Sequence, residues 1–449
     1  MASVVIAQNV TTERSVGGPP TWIFIVPLIF LACQGEFSFQ LGGRTSGGFS
    51  PGAVDVRHPG IIGYVLIPGI AYGIIVWLMR RRANDIGRLA RDSKLLSFLS
   101  VLTVASAIWS QNPLRSAVFG VLYCLCTLFA YYLVVTFTTR QIMHLVYVCG
   151  VSVSLASLLL VALAPDQGIS HPPGAPGSWN GIFIDSRAAA KCLTFLLSPA
   201  LVFDSGTSER PFRIFYIVFL GVMIVMTRAA TPLVIIPAYL LLMGILRVRR
   251  ALDARLTVAF AMTGFVVACI VLFVAYNELP DILHTLGRNA TLTGRTEIWS
   301  LVLQSVSKRP LLGYGFYAFW QGLEGESGSI IRAMNWTFGY AHNGGLEILL
   351  QLGCLGGVCV IGTLFQGFRH AGKVLIHERH GIADWYIGIL CLTLLYNIDE
   401  STVLWPNSLL SILYIVACCG LAEAASSINI SGRNTEEQDG CGGDRLPSA

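Results

Sequence analysis

Arg295 is the first residue whose type and position suggest chemistry on a charged substrate. It lies in LTGRTEIW, where Thr293 and Gly294 precede a helix-forming pattern. Free backbone N–H groups and the positive end of a helix dipole would lie beside a guanidinium, which can hold a phosphate through two hydrogen bonds. An arginine near a membrane surface more commonly extends toward lipid headgroups. On spacing alone, that ordinary interpretation is favoured for Arg295.

Three further cations lie near predicted helix ends. Arg228, in VMTRAATPL, stands between two apolar runs, where an arginine is costly unless it faces the bundle interior or water. Extension toward headgroups is an equally good interpretation of Arg228. Arg187 and Lys191 are one turn apart in DSRAAAK and could share a helix face. Arg187 could also form only a local ion pair with Asp185, which would contribute little.

The stretch TFGYAHNGGLEILL, residues 337–350, places Tyr340, His342 and Asn343 directly before an apolar helix. Asn343 or a glycine can cap that helix. The dipole at its N-terminus disfavours an imidazolium, so we expect a neutral His342 that can accept a proton. The default interpretation of a lone histidine there is a polar neighbour of the cap. Glu347 is either a buried hydrogen-bonded acid or part of a cavity wall, and its apolar surroundings favour the cavity.

Acidic and aromatic side chains add to these candidates. Asp399 and Glu400, in YNIDESTVLW, are either solvated loop residues or a proton acceptor for the same cavity. An aromatic patch suited to a membrane interface or to stacking on sugar rings follows Pro310. The patch consists of Tyr314, Phe316, Tyr317, Phe319 and Trp320. We expect Tyr314 to contribute to substrate binding.

The composition defines the elements that must position these residues. The chain has 449 residues, 54% of them hydrophobic and 12% charged, with a mean hydropathy of +0.65. Soluble domains carry about twice that charged fraction. Several apolar runs reach the length of about 20 residues that a helix needs to cross a bilayer. The sequence therefore predicts an all-α polytopic membrane protein.

Several kinds of site lose support because their motifs are absent. Most of the 12 cysteines lie in apolar runs, where they act as small packing residues, and the 277–344 segment has none. A disulfide framework or a cysteine zinc site is therefore not supported. The sequence also lacks GxxxxGK[ST], HExxH, GxSxG and DxD motifs. We expect no metal, no cofactor and no nucleic-acid partner.

Hydropathy gives about twelve membrane spans, with a polar tail at each end. The predicted spans are 21–40, 60–79, 95–110, 116–137, 141–164, 188–204, 212–227, 229–246, 255–276, 345–368, 384–398 and 405–424. Residues 1–20 form an N-terminal tail before an uncleaved first span. Spans 1–9 occupy 21–276, spans 10–12 occupy 345–424, and 425–449 is predicted to be a disordered tail.

The distribution of Lys and Arg sets the orientation. These residues are denser in the connections after the even-numbered spans, such as 80–94 and 247–255, than in the alternate ones. By the positive-inside rule, those connections and both termini are cytoplasmic. The 277–344 loop then lies on the outer face together with Arg187 and Arg228. His342, at the end of that loop, lies on the same side.

The outer loop contains an amphipathic helix. Between Thr293 and Arg309, polar residues alternate at helical spacing with an apolar face, and Pro310 ends the pattern. Such a helix would lie flat at the membrane interface, above the transmembrane bundle.

Three segments together resemble a known family. GRTEIW at 294–299, KRPLLGYGF at 308–316 and AHNGGLEILLQLGCLG at 341–356 are similar to the signature region of the O-antigen ligase and Wzy-type polysaccharide polymerase family. Within it the chain most resembles bacterial exopolysaccharide polymerases. Weaker similarities are IWSQNP at 108–113, SWNGIF at 178–183, TRAAT at 227–231 and DES at 399–401.

The resemblance implies a bacterial inner-membrane glycosyltransferase of GT-C-like fold, with a large periplasmic loop over its cavity. Such enzymes use an undecaprenyl-diphosphate-linked glycan and no metal. Arg295, Arg228 and His342 correspond to the family's catalytic positions. The chain has IDSR at 184–187 where the family often has His-Lys-Asn or His-Pro-Asn, which leaves a substrate-binding role for Arg187 open. Lys191, Tyr314, Tyr340, Asn343, Glu347 and Glu400 are the other candidate substrate-binding residues.

The predicted function is polymerisation of lipid-linked repeat units on the periplasmic face during exopolysaccharide synthesis. An alternative is a ligase that transfers the glycan to lipid A-core, and a second is a polysaccharide transporter or flippase. Transporters of the major facilitator type carry their long loop inside, between spans 6 and 7, whereas here it is outside. Expected partners are membrane lipid and a chain-length regulator and flippase of the same pathway. Whether His342 moves a proton or only positions the acceptor stays open.

Overall fold

The computed structural model describes residues 60–440, except 172–174, 203–208, 250–294, 335–338 and 378–381, together with Ile25 and Ile29. Apart from those two isoleucines, the predicted span at 21–40 lies outside the described residues. The same holds for the N-terminal tail, for the predicted span at 255–276 and for the start of the outer loop.

The described chain is almost entirely helical. Its first helices are α1 (Gly60–Met79), α2 (Ala83–Asp92), α3 (Lys94–Ala105), α4 (Pro113–Thr136), α5 (Thr139–Leu163), α6 (Pro165–Gly168), α7 (Ser186–Val202), α8 (Arg210–Met226) and α9 (Thr231–Arg249). The later helices are α10 (Arg295–Lys308), α11 (Gly325–Met334), α12 (Gly344–His377), α13 (Ile382–Asp399) and α14 (Leu409–Gly440). Two short strands, β1 (Ile169–Ser170) and β2 (Ser178–Trp179), pair antiparallel between α6 and α7.

Five of these helices are long and apolar enough to cross a membrane. Their apolar segments are Pro113–Thr136, Thr139–Leu163, Thr231–Val248, Gly344–Ile376 and Leu409–Ile428. The chain is therefore a helical protein with several candidate membrane spans. A total of twelve spans stays a prediction, because part of the chain is not described. The apolar helix at Lys94–Ile108 is shorter than a spanning helix.

The C-terminal helix differs from the sequence prediction. A disordered tail is predicted from residue 425, yet α14 continues to Gly440. A formed helix extends at the cost of fixing one residue for each new hydrogen bond, so the apolar start of α14 supports its polar continuation. The remainder of the predicted tail lies outside the described residues.

Helix α12 is broken at Gly353, and part of the loop packs into the break. Gly353 has φ 62°, and a Cβ there would meet the Leu311 backbone at 2.3 Å. Only glycine allows both this backbone conformation and this close approach. The Tyr314 amide donates to the Leu350 carbonyl at 2.8 Å, which fixes the loop against the broken helix. The KRPLLGYGF segment therefore docks onto the helix that follows His342.

The amphipathic helix predicted in the outer loop is present as α10. Ile298, Val302 and Val306 are buried, whereas Glu297 and Gln304 are exposed. The helix packs against α12 and α11, so its apolar face covers protein.

The aromatic patch that follows α10 is not at the surface. Its five members are between 0% and 8% exposed, which rules out a surface belt in this conformation. Because the loop folds back onto α12, Tyr314, Phe319 and Trp320 form a core beneath α10. Phe316 and Tyr317 join the main core of the helix bundle. The sequence pattern did not indicate that these aromatic side chains are buried.

Candidate functional site

His342 lies in the tight loop directly before α12. Its backbone has φ 50° and the residue is only 3% exposed. The left-handed conformation costs a non-glycine residue about 1–2 kcal/mol, and such strain concentrates at functional sites. Arg228, the candidate in the hairpin between α8 and α9, has φ 53°. Two of the three residues predicted to be catalytic therefore have strained backbone.

The cap predicted from the sequence positions His342. The Asn343 side-chain oxygen accepts from the Leu346 amide at 3.0 Å, which caps α12. The Asn343 side-chain amide donates to the Ile398 carbonyl, also at 3.0 Å. Asn343 therefore joins the start of α12 to the end of α13. In the structure Asn343 therefore caps α12 and holds the ends of the two helices together.

A hydrogen-bond network anchored on Glu347 holds the other side of the loop. The carboxylate accepts from the Ala341 amide at 2.9 Å, from the Gln351 side chain at 2.8 Å and from Trp320 Nε1 at 3.1 and 3.2 Å. Glu347 is 7% exposed and also lines a cavity, so both interpretations of it hold. Because its oxygens serve these three donor groups, Glu347 acts as an organiser of the loop.

Glu400 is the acid that faces His342. One of its carboxylate oxygens lies 3.8 Å from His342 Nδ1, and the residue is 6% exposed. Burial alone would raise the pKa of Glu400. The interaction with His342 and the positive charges of Lys191 and Arg187 outweigh burial and lower the pKa from 4.5 to about 2. Glu400 is therefore a buried carboxylate that stays ionised.

Lys191 and Arg187 bring two cations from the first turns of α7 to this cluster. Lys191 is 7% exposed; its Nζ donates to the Ser401 carbonyl at 3.5 Å and lies 5.6 Å from the centre of the Trp405 ring. Arg187 has a more exposed side chain. The charges of both residues act on Glu400. The two cations that could share a helix face therefore both lower the pKa of the same acid.

Tyr340 packs directly on His342. The two ring centres are 4.0 Å apart, with the planes tilted by 46°. Burial raises the pKa of Tyr340, and the nearby Glu400 carboxylate raises it further. Tyr340 therefore keeps its proton and can donate a hydrogen bond. The predicted role of Tyr340 in substrate binding stays a prediction.

Arg228 lies in the hairpin between α8 and α9 and contacts the loop before β2. Its guanidinium donates to the carbonyl of Pro176, in the loop before β2. The hydroxyl of Thr231, in the same hairpin, donates to the Asp399 carboxylate, next to Glu400. The hairpin is thus attached to the end of α13 that carries the buried acid.

Arg295 begins α10, although the structure describes nothing of its side chain. Trp299, one turn later, donates from Nε1 to the Ala341 carbonyl at 3.0 Å. This contact fixes the first turns of α10 against the loop that carries His342. The backbone of Arg295 is therefore close to the site, and its phosphate-binding role stays a prediction.

Tyr314 is placed where it supports the loop. It is 2% exposed and its hydroxyl donates to the Ser305 carbonyl at 2.8 Å. Because the ring lies in the core beneath α10 and its hydroxyl is used there, the geometry does not favour contact with substrate. The sequence pattern alone could not distinguish a buried aromatic from an exposed one.

A small cavity adjoins His342 through Tyr340. It is lined by Tyr317, Phe319, Trp320, Gly339, Tyr340, Glu347, Gln351 and Trp405. Trp405 and Gln351 are residues that the sequence analysis did not select, whereas Trp320 belongs to the predicted aromatic patch. The only signal for Trp405 was its place five residues after Glu400, in a segment with no motif of its own. No cluster of three or more metal-ligating side chains occurs in the described residues.

The weaker motifs lie against the stronger ones. Trp109 and Gln111, from IWSQNP, donate to the carbonyls of Leu312 and Ala318 at 2.8 and 2.6 Å. Lys191 reaches Ser401 of the DES segment, and the TRAAT hairpin reaches Asp399. Segments that are far apart in the chain therefore meet where α7 and α12 begin and α13 ends.

Two comparisons with known proteins found similarities to this chain. Residues 215–361 match the family model described as O-Antigen ligase, and this segment contains Arg228, Arg295 and His342. This match confirms the predicted resemblance to the O-antigen ligase and Wzy-type family. The chain is also 27% identical over 157 residues to the exopolysaccharide production protein ExoQ of Rhizobium meliloti (strain 1021). That alignment covers 34% of this chain and 35% of ExoQ, about a third of each.

Proposed function

We propose that the protein is a glycosyltransferase that joins lipid-diphosphate-linked glycan units on the periplasmic face of the bacterial inner membrane. The observation that carries this proposal is the buried pairing of His342 with Glu400, at 3.8 Å, beside Lys191. A strained, buried histidine opposite an ionised acid suits the deprotonation of a hydroxyl. The family match over residues 215–361 supports glycan transfer as the reaction.

The donor must arrive already activated, because a periplasmic site has no supply of nucleotide sugar. A lipid diphosphate meets that need. As the glycosidic bond to it breaks, negative charge grows on the departing diphosphate. Arg295 and Arg228 stabilise that charge, since fixed cations in a cleft that excludes water act strongly on a transition state. The reaction is therefore a displacement at the anomeric carbon.

His342 accepts the proton of the attacking acceptor hydroxyl. Glu400 stabilises the imidazolium that results, because its carboxylate already faces Nδ1. Glu347 does not take this part, because its oxygens accept hydrogen bonds from Ala341, Gln351 and Trp320. Direct displacement inverts the configuration at the anomeric carbon. Retained configuration in the product of a single turnover would contradict this step.

Reconstitution of the purified protein in lipid nanodiscs with lipid-diphosphate-linked repeat units tests the proposal. Wild-type protein is expected to consume the substrate and form longer glycans, whereas the Arg295→Ala and His342→Ala variants are expected to be inactive. Equal consumption by both variants would reject the site. Absence of any glycan product from folded wild-type protein would favour the transporter or flippase alternative.

Polymerase and ligase differ in the acceptor. The similarity to a protein of exopolysaccharide production favours another lipid-linked repeat unit as acceptor, whereas the family description favours lipid A-core. A strain that lacks the protein distinguishes them. Loss of high-molecular-weight exopolysaccharide with intact lipopolysaccharide supports a polymerase, and the reverse supports a ligase.

A further inference from the structure

The cavity beside His342 has the chemistry of a carbohydrate subsite. Five of its eight lining residues are aromatic. Trp405 stands edge-on to both Tyr317 and Tyr340, with ring centres 6.0 Å apart and planes at 85° in each pair. Because the Tyr340 ring also contacts His342 at 4.0 Å, the cavity lies one side chain away from the histidine.

The Gln351 and Glu347 side chains in the wall are already hydrogen-bonded. Gln351 accepts from the Tyr317 amide and donates to Glu347. The Trp405 indole N–H is buried and has no acceptor among the described residues. A buried donor without a partner is costly, so a ligand that supplies an acceptor gains free energy on binding. The Trp405 N–H therefore lacks a hydrogen-bond acceptor among the described residues, and a ligand in the cavity would supply one.

Glu347 sets the charge that the cavity accepts. All its hydrogen bonds come from N–H donors, as an ionised carboxylate requires. Two carboxylate oxygens offer about four acceptor positions, so one further hydroxyl donor can be accommodated. A carboxylate or phosphate on the substrate would meet a like charge in a mostly apolar wall, which is strongly unfavourable.

The size of the cavity limits the occupant to a small group. The space open to a water molecule is about 20 Å³, which holds little more than one water. A sugar ring does not fit, whereas a single hydroxyl-bearing carbon substituent is close to the right volume. The remainder of the sugar would lie outside, toward His342.

We propose that this cavity selects an acceptor sugar that carries an uncharged hydroxymethyl group and excludes one that carries a carboxylate at the same carbon. The proposal rests on the glycan-transfer function given above and names the acceptor for it. The hydroxyl accepts a hydrogen bond from the Trp405 N–H and donates one to Glu347. Trp405 is thus a specificity-determining residue.

Three probes that differ only at the carbon that bears this group test the proposal. Methyl glucoside carries hydroxymethyl, methyl xyloside carries hydrogen and methyl glucuronoside carries a carboxylate. Binding to the full-length protein in nanodiscs is measured by saturation-transfer-difference NMR, and the corresponding galacto series is measured in parallel. In at least one series, the hydroxymethyl probe is expected to bind roughly fivefold to tenfold more tightly than the probe with hydrogen. The uronoside is expected to show no saturable binding.

Variants assign the preference to the cavity. Trp405→Phe keeps an aromatic ring but removes the N–H, so the advantage of the hydroxymethyl probe should disappear. Trp77→Phe is the matched control, because Trp77 lies 60% exposed on α1. Glu347→Gln removes the charge and should allow the uronoside to bind. Thermal unfolding of each variant verifies that it is folded.

Equal affinities for the three probes in both series would overturn the proposed subsite, and so would the absence of binding by any probe. The measurement on wild-type protein alone can give either result. A preference that survives Trp405→Phe would overturn the role of Trp405. Failure of the subsite can be distinguished from failure of the proposed function, because binding of the probes does not require glycan transfer. Selective binding by a protein that forms no glycan product rejects the transferase alone, and transfer without selectivity rejects the subsite alone.

Discussion

Two buried glutamates, Glu347 in the first turn of α12 and Glu400 just after α13, differ in what surrounds them. Glu347 is 7% exposed and Glu400 is 6% exposed, so burial does not distinguish them. Glu347 is held by hydrogen bonds from neutral donors, including the Ala341 amide. Glu400 faces His342, and its pKa is lowered by the interaction with His342 and by the charges of Lys191 and Arg187. One acid therefore shapes the loop, and the other balances charge within it.

The different surroundings of Glu347 and Glu400 indicate which acid contributes to stability and which contributes to catalysis. A carboxylate with neutral donors on both oxygens contributes mainly to the native fold, since its removal leaves several donors unpaired. A carboxylate among cations changes the charge and proton affinity of its neighbours. Substitutions in the Glu347 region are therefore expected to affect stability, and those in the Glu400 region to affect turnover.

The largest expected effect comes from removing the histidine that both regions support. His342→Ala should lower the turnover number about 10²- to 10⁴-fold, the contribution typical of general base catalysis. Transfer of lipid-linked repeat units in nanodiscs measures the loss. His144→Ala is the control, because His144 is exposed on α5. Equal losses in the two variants would remove His342 from the mechanism.

Exchange of each glutamate for glutamine sharpens the comparison. Glu400→Gln should lower turnover at least about tenfold, because it removes the charge that stabilises the imidazolium. Glu347→Gln should lower the free energy of unfolding by about 1–3 kcal/mol, because the new NH₂ group faces existing donors. Turnover by the folded fraction of Glu347→Gln should change less. Reversed results would invert the assignment of the two acids.

Acid should affect the Glu400 region selectively. The pKa of Glu400 is about 2 in the folded protein, below its ordinary 4.5. Its carboxylate therefore stabilises the fold above about pH 4.5, and this contribution is lost as the pH falls from 4.5 toward 2. The melting temperature of wild type should fall faster over that range than that of Glu400→Gln. Parallel curves would show that Glu400 is not held ionised by its neighbours.

The smallest expected effect lies at the contact between α10 and the loop. Trp299→Phe removes the hydrogen bond to the Ala341 carbonyl and should cost about 1 kcal/mol of stability. Turnover should fall only severalfold, since the cap at Asn343 and the Glu347 network still hold the loop. Thermal unfolding and the transfer assay provide the two values. A loss of turnover as large as that of His342→Ala would mean that α10 alone positions the histidine.

The sequence predicted the helical fold and the convergence of charged residues, but not the interior of the loop. Helical periodicity identified α10, and the cap pattern identified Asn343, because both depend on residues close in the chain. The pairing of His342 with Glu400 joins positions nearly sixty residues apart, so periodicity could not reveal it. The burial of Tyr314 and the contacts of Trp405 likewise depend on how the loop docks into the break at Gly353.

A double-mutant cycle on the rate of glycan transfer tests the central claim, that Glu400 acts through His342. Transfer rates of wild type, Glu400→Gln, His342→Ala and the double variant are measured under single-turnover conditions. If the acid works only on the histidine, Glu400→Gln will lower the rate in wild type and have no further effect once His342 is replaced. If the two losses multiply in the double variant, Glu400 acts independently and the proposed pair is wrong.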